Sequence, residues 1–283
     1  MVRRLLGQAG LFLGYLLAAS TVMAASQAGS NGGYFRIGEK RLEATHVIAV
    51  VKDAGHDEAG PQTLVYLSDV PLDAASAAAA FDSDDSVRMQ LMGKSGGYVQ
   101  LCIDASGDSC GLYFSPEGFN SSGAGTWVLT TRNASHIAGS WVLKEPDSFF
   151  DETYDFDLRF DVAITPSPGK DLPANGGEPG KAYLAYISAL AKGNLPALRQ
   201  LSDHDGGYRF PQDDESQARE SLKSARDGAP VSAKIERGRI DGVNAVLWVA
   251  GVDRDDMRRR GRVQMHQESG NWQVVRTDLG NVD

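Results

Sequence analysis

Apolar and polar positions change their period along this chain of 283 residues. Over 153–164, TYDFDLRFDVAI, they alternate strictly. Tyr154, Phe156, Leu158, Phe160, Val162 and Ile164 point one way, and Asp155, Asp157, Arg159 and Asp161 the other. That alternation predicts a strand with one face on a core and one in water. The run 44–51, ATHVIAVV, is apolar almost throughout and rich in β-branched residues, which predicts a strand buried on both faces. A similar run covers 63–67. Shorter strands are predicted over 87–92, 98–103, 111–114, 126–131 and 136–143, separated by Gly, Ser, Asn and Asp. The one helix expected in this half covers 72–81, with Asp73 as N-cap.

At 180–201, GKAYLAYISALAKGNLPALRQL, the period becomes helical. Tyr183, Ile187 and Leu190 fall at i, i+4 and i+7, with Leu184 and Ala191 alongside, giving an apolar stripe. Gly193-Asn194 ends this helix, and Pro196 sits early in a second one carrying Leu195, Leu198 and Leu201. A third helix is expected over 215–226. Four strands follow, over 231–239, 243–252, 258–267 and 272–277, with hairpin turns at Asp241-Gly242 and Ser269-Gly270.

Between the two regimes, 165–179 holds four prolines and three glycines and reads as an interdomain linker. The predicted plan is a mainly β domain at 34–164, an antiparallel sandwich or barrel, and an α+β domain at 180–283 with helices packed on a curved antiparallel sheet. Residues 26–33 read as a small polar linker. Residues 1–25 read as a cleaved export signal. Arg3 and Arg4 precede the short apolar run 11–19, and small residues around Val22-Met23-Ala24 place the cut after Ala24 or Ala25. No second apolar run of spanning length follows, so no stable membrane span is expected after cleavage, and the mature chain is expected in the periplasm or outside the cell.

Charge sharpens the division. Residues 26–179 carry 10 Lys/Arg against 22 Asp/Glu, a net of −12, and residues 180–283 carry 16 against 15, a net of +1. The acidic first part disfavours nucleic acid and anionic membrane surfaces as partners. Arg258, Arg259, Arg260 and Arg262 make the one basic cluster. A charged edge strand that discourages aggregation is the preferred reading, ahead of docking onto the acidic first part or an anionic partner such as envelope polymer. Cys102 and Cys110 bracket a turn-rich stretch between strands, and in an exported chain they predict one disulfide across a hairpin.

The order of helix, Gly-Asn break, short helix, further helix and antiparallel meander resembles the nuclear-transport-factor-two-like superfamily, also called cystatin-like, which includes ketosteroid isomerases and polyketide cyclases. The likeness is carried by 182–194, AYLAYISALAKGN, and 270–275, GNWQVV, and covers roughly the last hundred residues. It implies a curved sheet wrapped round the helices, with a cone-shaped cavity that some members use for catalysis or ligands. Catalytic members need an ionisable group in an apolar pocket. The candidates here are Asp203, His204 and Tyr208, beside the strand residues Trp248 and Trp272, and all five are taken as binding residues with no catalytic role assigned.

Other chemistry is thin. Asp104 to Asp108 has oxygen ligands at a spacing reminiscent of a calcium loop but lacks the closing glutamate, so a hairpin turn is expected. Asp82 to Asp85 and Asp147 to Asp157 read as solvated acidic faces. The histidines make no metal spacing, and Gly93-Lys94-Ser95-Gly96-Gly97 is not a nucleophile elbow. No metal or cofactor is assigned. The expectation is an exported two-domain binding or interaction protein without catalysis. The alternatives are an isomerase- or cyclase-like enzyme using the second domain's cavity, and an inhibitor or immunity-type protein.

Overall fold

The computed structural model describes residues 31–53, 60–203 and 210–282. The expected signal at 1–25 and the two site candidates His204 and Tyr208 lie outside these residues. The chain is mostly β, with one mixed sheet and a second, antiparallel one.

The first sheet is built from β1 (Gly32–Ile37), β2 (Lys40–Ala44), β3 (His46–Lys52), β4 (Gln62–Ser68), β5 (Tyr98–Ile103), β6 (Ser109–Phe114), β7 (Phe119–Ser121), β8 (Thr126–Asn133), β9 (His136–Phe149) and β10 (Glu152–Thr165). The path runs β2-β1-β10-β3-β4-β5-β6-β7, with β9 also on β10 and β8 on β9. Its ladders are antiparallel except one: Ile164 and Thr165 of β10 run parallel to Ala49 and Val50 of β3. A purely antiparallel first sheet is therefore corrected. The long β10 spans both halves, pairing with β1 and β9 along most of its length and with β3 at its end. The halves face each other, since Phe35 of β1 stacks on Phe114 of β6 with ring centroids 4.4 Å apart. Between them lie Leu42, Leu67, Leu101, Trp141, Phe156 and Leu158.

The alternation along β10 holds, with Tyr154, Phe156, Leu158, Phe160 and Ile164 all buried. Asp155 breaks the pattern. It is 4% exposed, and Arg36 opposite it on β1 donates to its carboxylate from Nε at 2.8 Å. Gly32 and Gly33, read as linker, belong to β1. A Cβ on Gly33 would sit 1.9 Å from the Asp157 carbonyl oxygen, so glycine there permits close strand approach.

Two helices cover the outer face of the β3–β5 region. The first, α1 (Ala74–Ala79), starts at Asp73, whose carboxylate accepts from the amides of Ala75 and Ser76, as expected. The second, α2 (Ser83–Leu91), replaces the strand expected over 87–92. Asp82 caps it by accepting from the amides of Asp84 and Asp85, whose negative charge suits a helix N-terminus. Ile48, Val50, Leu64, Tyr66 and Tyr98 pack under Ala77, Ala78 and Val87. The near-continuous apolar runs of β3 and β4 thus have cores on both sides. The Cys102–Cys110 disulfide crosses the β5–β6 hairpin, with 5.0 Å between Cα atoms.

The second sheet runs β11 (Lys170–Asp171), β12 (Ser232–Asp241), β13 (Asn244–Val252), β14 (Arg258–Glu268), β15 (Asn271–Asn281), in that order. Between β11 and β12, the α-helices among the described residues are α3 (Gly177–Lys192), α4 (Leu195–Leu201) and α5 (Glu215–Asp227). The Pro/Gly stretch 165–179 does more than link, since it supplies the edge strand β11 and the first turn of α3. Gly180 lies in that turn, where a Cβ would come 2.0 Å from the Asn175 carbonyl oxygen. Gly193 closes α3 in the left-handed region at φ 69°, and Asn194 caps α4.

The helices cover one face of this sheet, enclosing Leu198, Ile235, Leu247, Val249, Val263, Met265 and Val274. Tyr186 and Ala189 join Tyr183, Ile187 and Leu190 on the buried face of α3, while Leu184 and Ala191 are exposed. The opposite face meets the first sheet's helices. Arg262 donates to the Phe81 carbonyl at 3.1 Å with its guanidinium 4.7 Å from the Phe81 ring centroid, and Arg276 reaches Asp85 at 3.0 Å. Arg239 meets Asp53 at 2.9 Å. The expected edge strand of arginines is corrected, because β14 lies between β13 and β15. Docking onto the acidic first part does occur, through Arg262. Arg259 and Arg260 instead pair within the second part, with Asp253 and Glu236.

Candidate ligand cleft

Between α3, α5 and the far end of β15 lies a cleft of about 670 Å³. Its α3 wall is Tyr183, Tyr186, Ile187 and Leu190, and its α5 wall is Gln217, Glu220, Ser221, Ser224 and Ala225. Gly228 to Pro230, Thr277 and Leu279 complete it.

Polar ties hold the helices around it. Asp214 caps α5 by accepting from the Gln217 amide. Arg199 of α4 donates to the carbonyls of Phe210 and Pro211 and pairs with Glu215 at 3.0 Å, fixing the start of α5. At the other end Arg226 donates to the Ala191 carbonyl at 2.9 Å, joining the last turns of α5 and α3. With both ends held, the middle of α5 faces α3 across the cleft.

Tyr183 is the feature that stands out. Its side chain is fully buried, and its hydroxyl has no hydrogen-bond partner among the described residues. A buried Tyr hydroxyl is ordinarily paired, and an unpaired one costs about 1–3 kcal/mol. Burial pushes the phenol's pKa up, and the neighbouring Tyr186 pushes it further, so the group stays protonated and offers a hydrogen. The two rings are roughly parallel, with centroids 6.4 Å apart.

The residues expected to form a site are not brought together. Asp203 follows α4, half-buried, with its amide donating to the Val274 carbonyl at 3.1 Å. Trp248 lies on the face away from the helices, under the Arg237 guanidinium at 3.5 Å, so it does not line a cavity on the helix side. Its indole nitrogen is buried without a hydrogen-bond partner among the described residues. Trp272 packs in the helix-side core and borders a separate groove with Gln200, Gln267 and Gln273. Tyr183, read as one member of an apolar stripe, is the residue sequence reasoning passed over. The available signal was a hydroxyl at a position where Leu or Phe would bury as well.

The acidic stretches have structural partners. The Asp104 carboxylate accepts from the amides of Ser106, Gly107 and Asp108, making the expected hairpin turn. Among the described residues, no group of three or more His, Cys, Asp or Glu is placed to hold a metal ion. No helix among them is long and apolar enough to cross a membrane. Compared with family models, curated proteins and solved structures, the chain has no match in any of the three.

Proposed function

We propose that this chain is an exported binding protein of the bacterial cell envelope that holds a small molecule in the cleft between α3, α5 and β15. In this reading an acidic β-sandwich precedes a nuclear-transport-factor-two-like cone. The cone is supported by the helix, Gly-Asn break, helix order and by three helices on one face of an antiparallel sheet. Export is supported by Arg3, Arg4 and the apolar run 11–19, and by the Cys102–Cys110 bridge, since disulfides persist in oxidising compartments.

The observation that carries the reading is the orphaned, buried hydroxyl of Tyr183, a residue that lines a cleft large enough for a small molecule. A ligand oxygen or nitrogen accepting from it would remove the penalty. Holding is favoured over chemistry because Glu220, the one carboxylate among the described lining residues, is exposed and not buried in the apolar pocket a general base would use. The test is native mass spectrometry of the full chain expressed with its leader and purified from the secreted fraction. A stoichiometric small-molecule adduct that Tyr183→Phe depletes is expected, on a chain shortened by about the leader. An adduct untouched by that substitution, or a chain retained in the cytoplasm, would count against the reading.

A further inference from the structure

The cleft has two unlike walls. On α3, Tyr183, Tyr186, Ile187 and Leu190 at i, i+3, i+4 and i+7 make a ring-bearing, apolar wall, itself nearly fully buried in the ligand-free chain and continued by Pro230 and Leu279. On α5, Gln217, Ser221 and Ser224 fall at i, i+4 and i+7, with Glu220 beside them. A helix facing its neighbour only to bury area would place leucines on that stripe. Here the core of α5 is limited to Ala218, with Leu222 and Ala225 partly buried, and the stripe toward the cleft is amide, hydroxyl and carboxylate.

The charge of the lining is one-sided. Glu220 is the one carboxylate among the described residues that line it, and they include no Lys, Arg or His. The nearest cations on α5 are turned to other work: Arg219 pairs with Glu215, and Arg226 donates to the Ala191 carbonyl. An anion entering the cleft would meet the exposed Glu220 carboxylate with no counter-charge among the described lining residues, an unfavourable contact that salt screens. A neutral ring with donors along one edge would meet Gln217, Ser221 and Ser224 and offer an acceptor to Tyr183, while a cation would gain Glu220.

We propose that this cleft, on the ligand-binding reading above, selects an amphipathic, ring-bearing ligand that is neutral or cationic, and rejects carboxylates and phosphates. The ring lies against the Tyr183–Tyr186 wall, and its polar edge is read by α5.

Three probes of one shape separate the charge classes: 2-naphthamide, 2-naphthamidine as the cation, and 2-naphthoate. Each is titrated into the purified full chain and followed by fluorescence anisotropy. The amide and the amidine bind, and the naphthoate binds at least about tenfold more weakly. Tyr183→Phe weakens the amide by about fivefold, the loss of one hydrogen bond. Glu220→Gln, at an exposed position, removes the advantage of the amidine over the amide. Naphthoate binding as tightly as the amide would overturn the ligand class while leaving the cleft as a binding site. Absence of binding by all three into the low millimolar range would remove the cleft reading with it. Binding indifferent to both substitutions would place the probes elsewhere and overturn the proposal.

Discussion

Arg276 of β15 and Asp85 of α2 stand 191 residues apart in sequence and meet at 3.0 Å. Their pairing belongs to a small set of contacts joining the second sheet to the first part of the chain, around α1, α2 and the end of β3, all led by arginine. Arg262 donates to the Phe81 carbonyl, the Arg262 and Arg276 guanidiniums flank the Phe81 ring, and Arg237 and Arg239 share Asp53. Several of these side chains are half-exposed, where an ion pair contributes about 0.5 kcal/mol and salt screens it. Arg276→Glu is therefore expected to loosen the contact between the two parts, and adding Asp85→Arg to restore it. Hydrogen exchange over α2 at low and high salt reads this out. Equal protection in the single and double variants would show that the pair does not join the parts.

The same pair sets a pH dependence. The Arg276 hydrogen bond is the chief cause holding Asp85 below its ordinary 3.8, aided by Arg88 and opposed by burial. A folded-state pKa that is depressed contributes stability that is complete above the unfolded value and lost as pH falls through the folded one. The link between the two parts should hold at pH 5 and above and weaken below about pH 4 as Asp85 takes up its proton. Protection of α2 measured from pH 6 to pH 3 checks the direction. Strengthening on acidification would contradict it.

Within the first sheet, Asp155 is buried and Arg36 half-exposed, with Nη2 2.5 Å from the carboxylate. Arg36→Met leaves a buried carboxylate without its arginine, with the Tyr34 hydroxyl as its remaining side-chain partner. Breaking a fully buried pair costs about 3–5 kcal/mol, and exposure of the arginine lowers the expected loss to about 2 kcal/mol. Arg36→Met combined with Asp155→Leu removes both charges and should recover much of it. Urea midpoints of the two variants against the parent measure this. A single variant as stable as the parent would mean that the Tyr34 hydroxyl and water already satisfy Asp155.

The disulfide offers a smaller effect. Its partners are separated by 8 residues, and closing so short a loop stabilises by at most about 2.5 kcal/mol through the unfolded chain. The Asp104 turn already favours the hairpin locally, so replacing both cysteines with serine should cost about 1–2 kcal/mol and leave the fold intact. Thermal unfolding of the double variant tests it, and loss of folded protein would show the bridge to be essential.

Where the sequence misled, the physical reasons are local. Val87, Met89 and Leu91 alternate with polar residues and imitate a strand, yet Asp82 at the start of α2 supplies a cap that no alternation pattern registers. Gly32 and Gly33 look like linker, but the absence of side chains is what lets β1 approach its neighbours. Strand period told that Trp248 and Leu247 face opposite ways, not which face the helices take. Arg262 could not be assigned to a central strand without the sheet order, which arises from contacts between distant segments. What the pattern did carry, namely β10, the α3–Gly193–Asn194–α4 turn, the Asp73 cap, the disulfide and the closing meander, depends on neighbours in sequence.

Tyr183 separates a ligand site from a packing accident. Its hydroxyl is buried and unpaired, so in the protein without ligand it lowers stability by about 1 kcal/mol or more relative to a phenyl ring of the same shape. Tyr183→Phe is therefore expected to raise the unfolding midpoint of the ligand-free chain while weakening whatever occupies the cleft. Stability gained at the expense of binding is the mark of a group retained for function. If the variant were instead destabilised by a similar amount, the hydroxyl would have a partner in the folded chain, and the argument for a ligand at this position would fall. Thermal unfolding of parent and variant, each extracted free of bound small molecules, decides between the two.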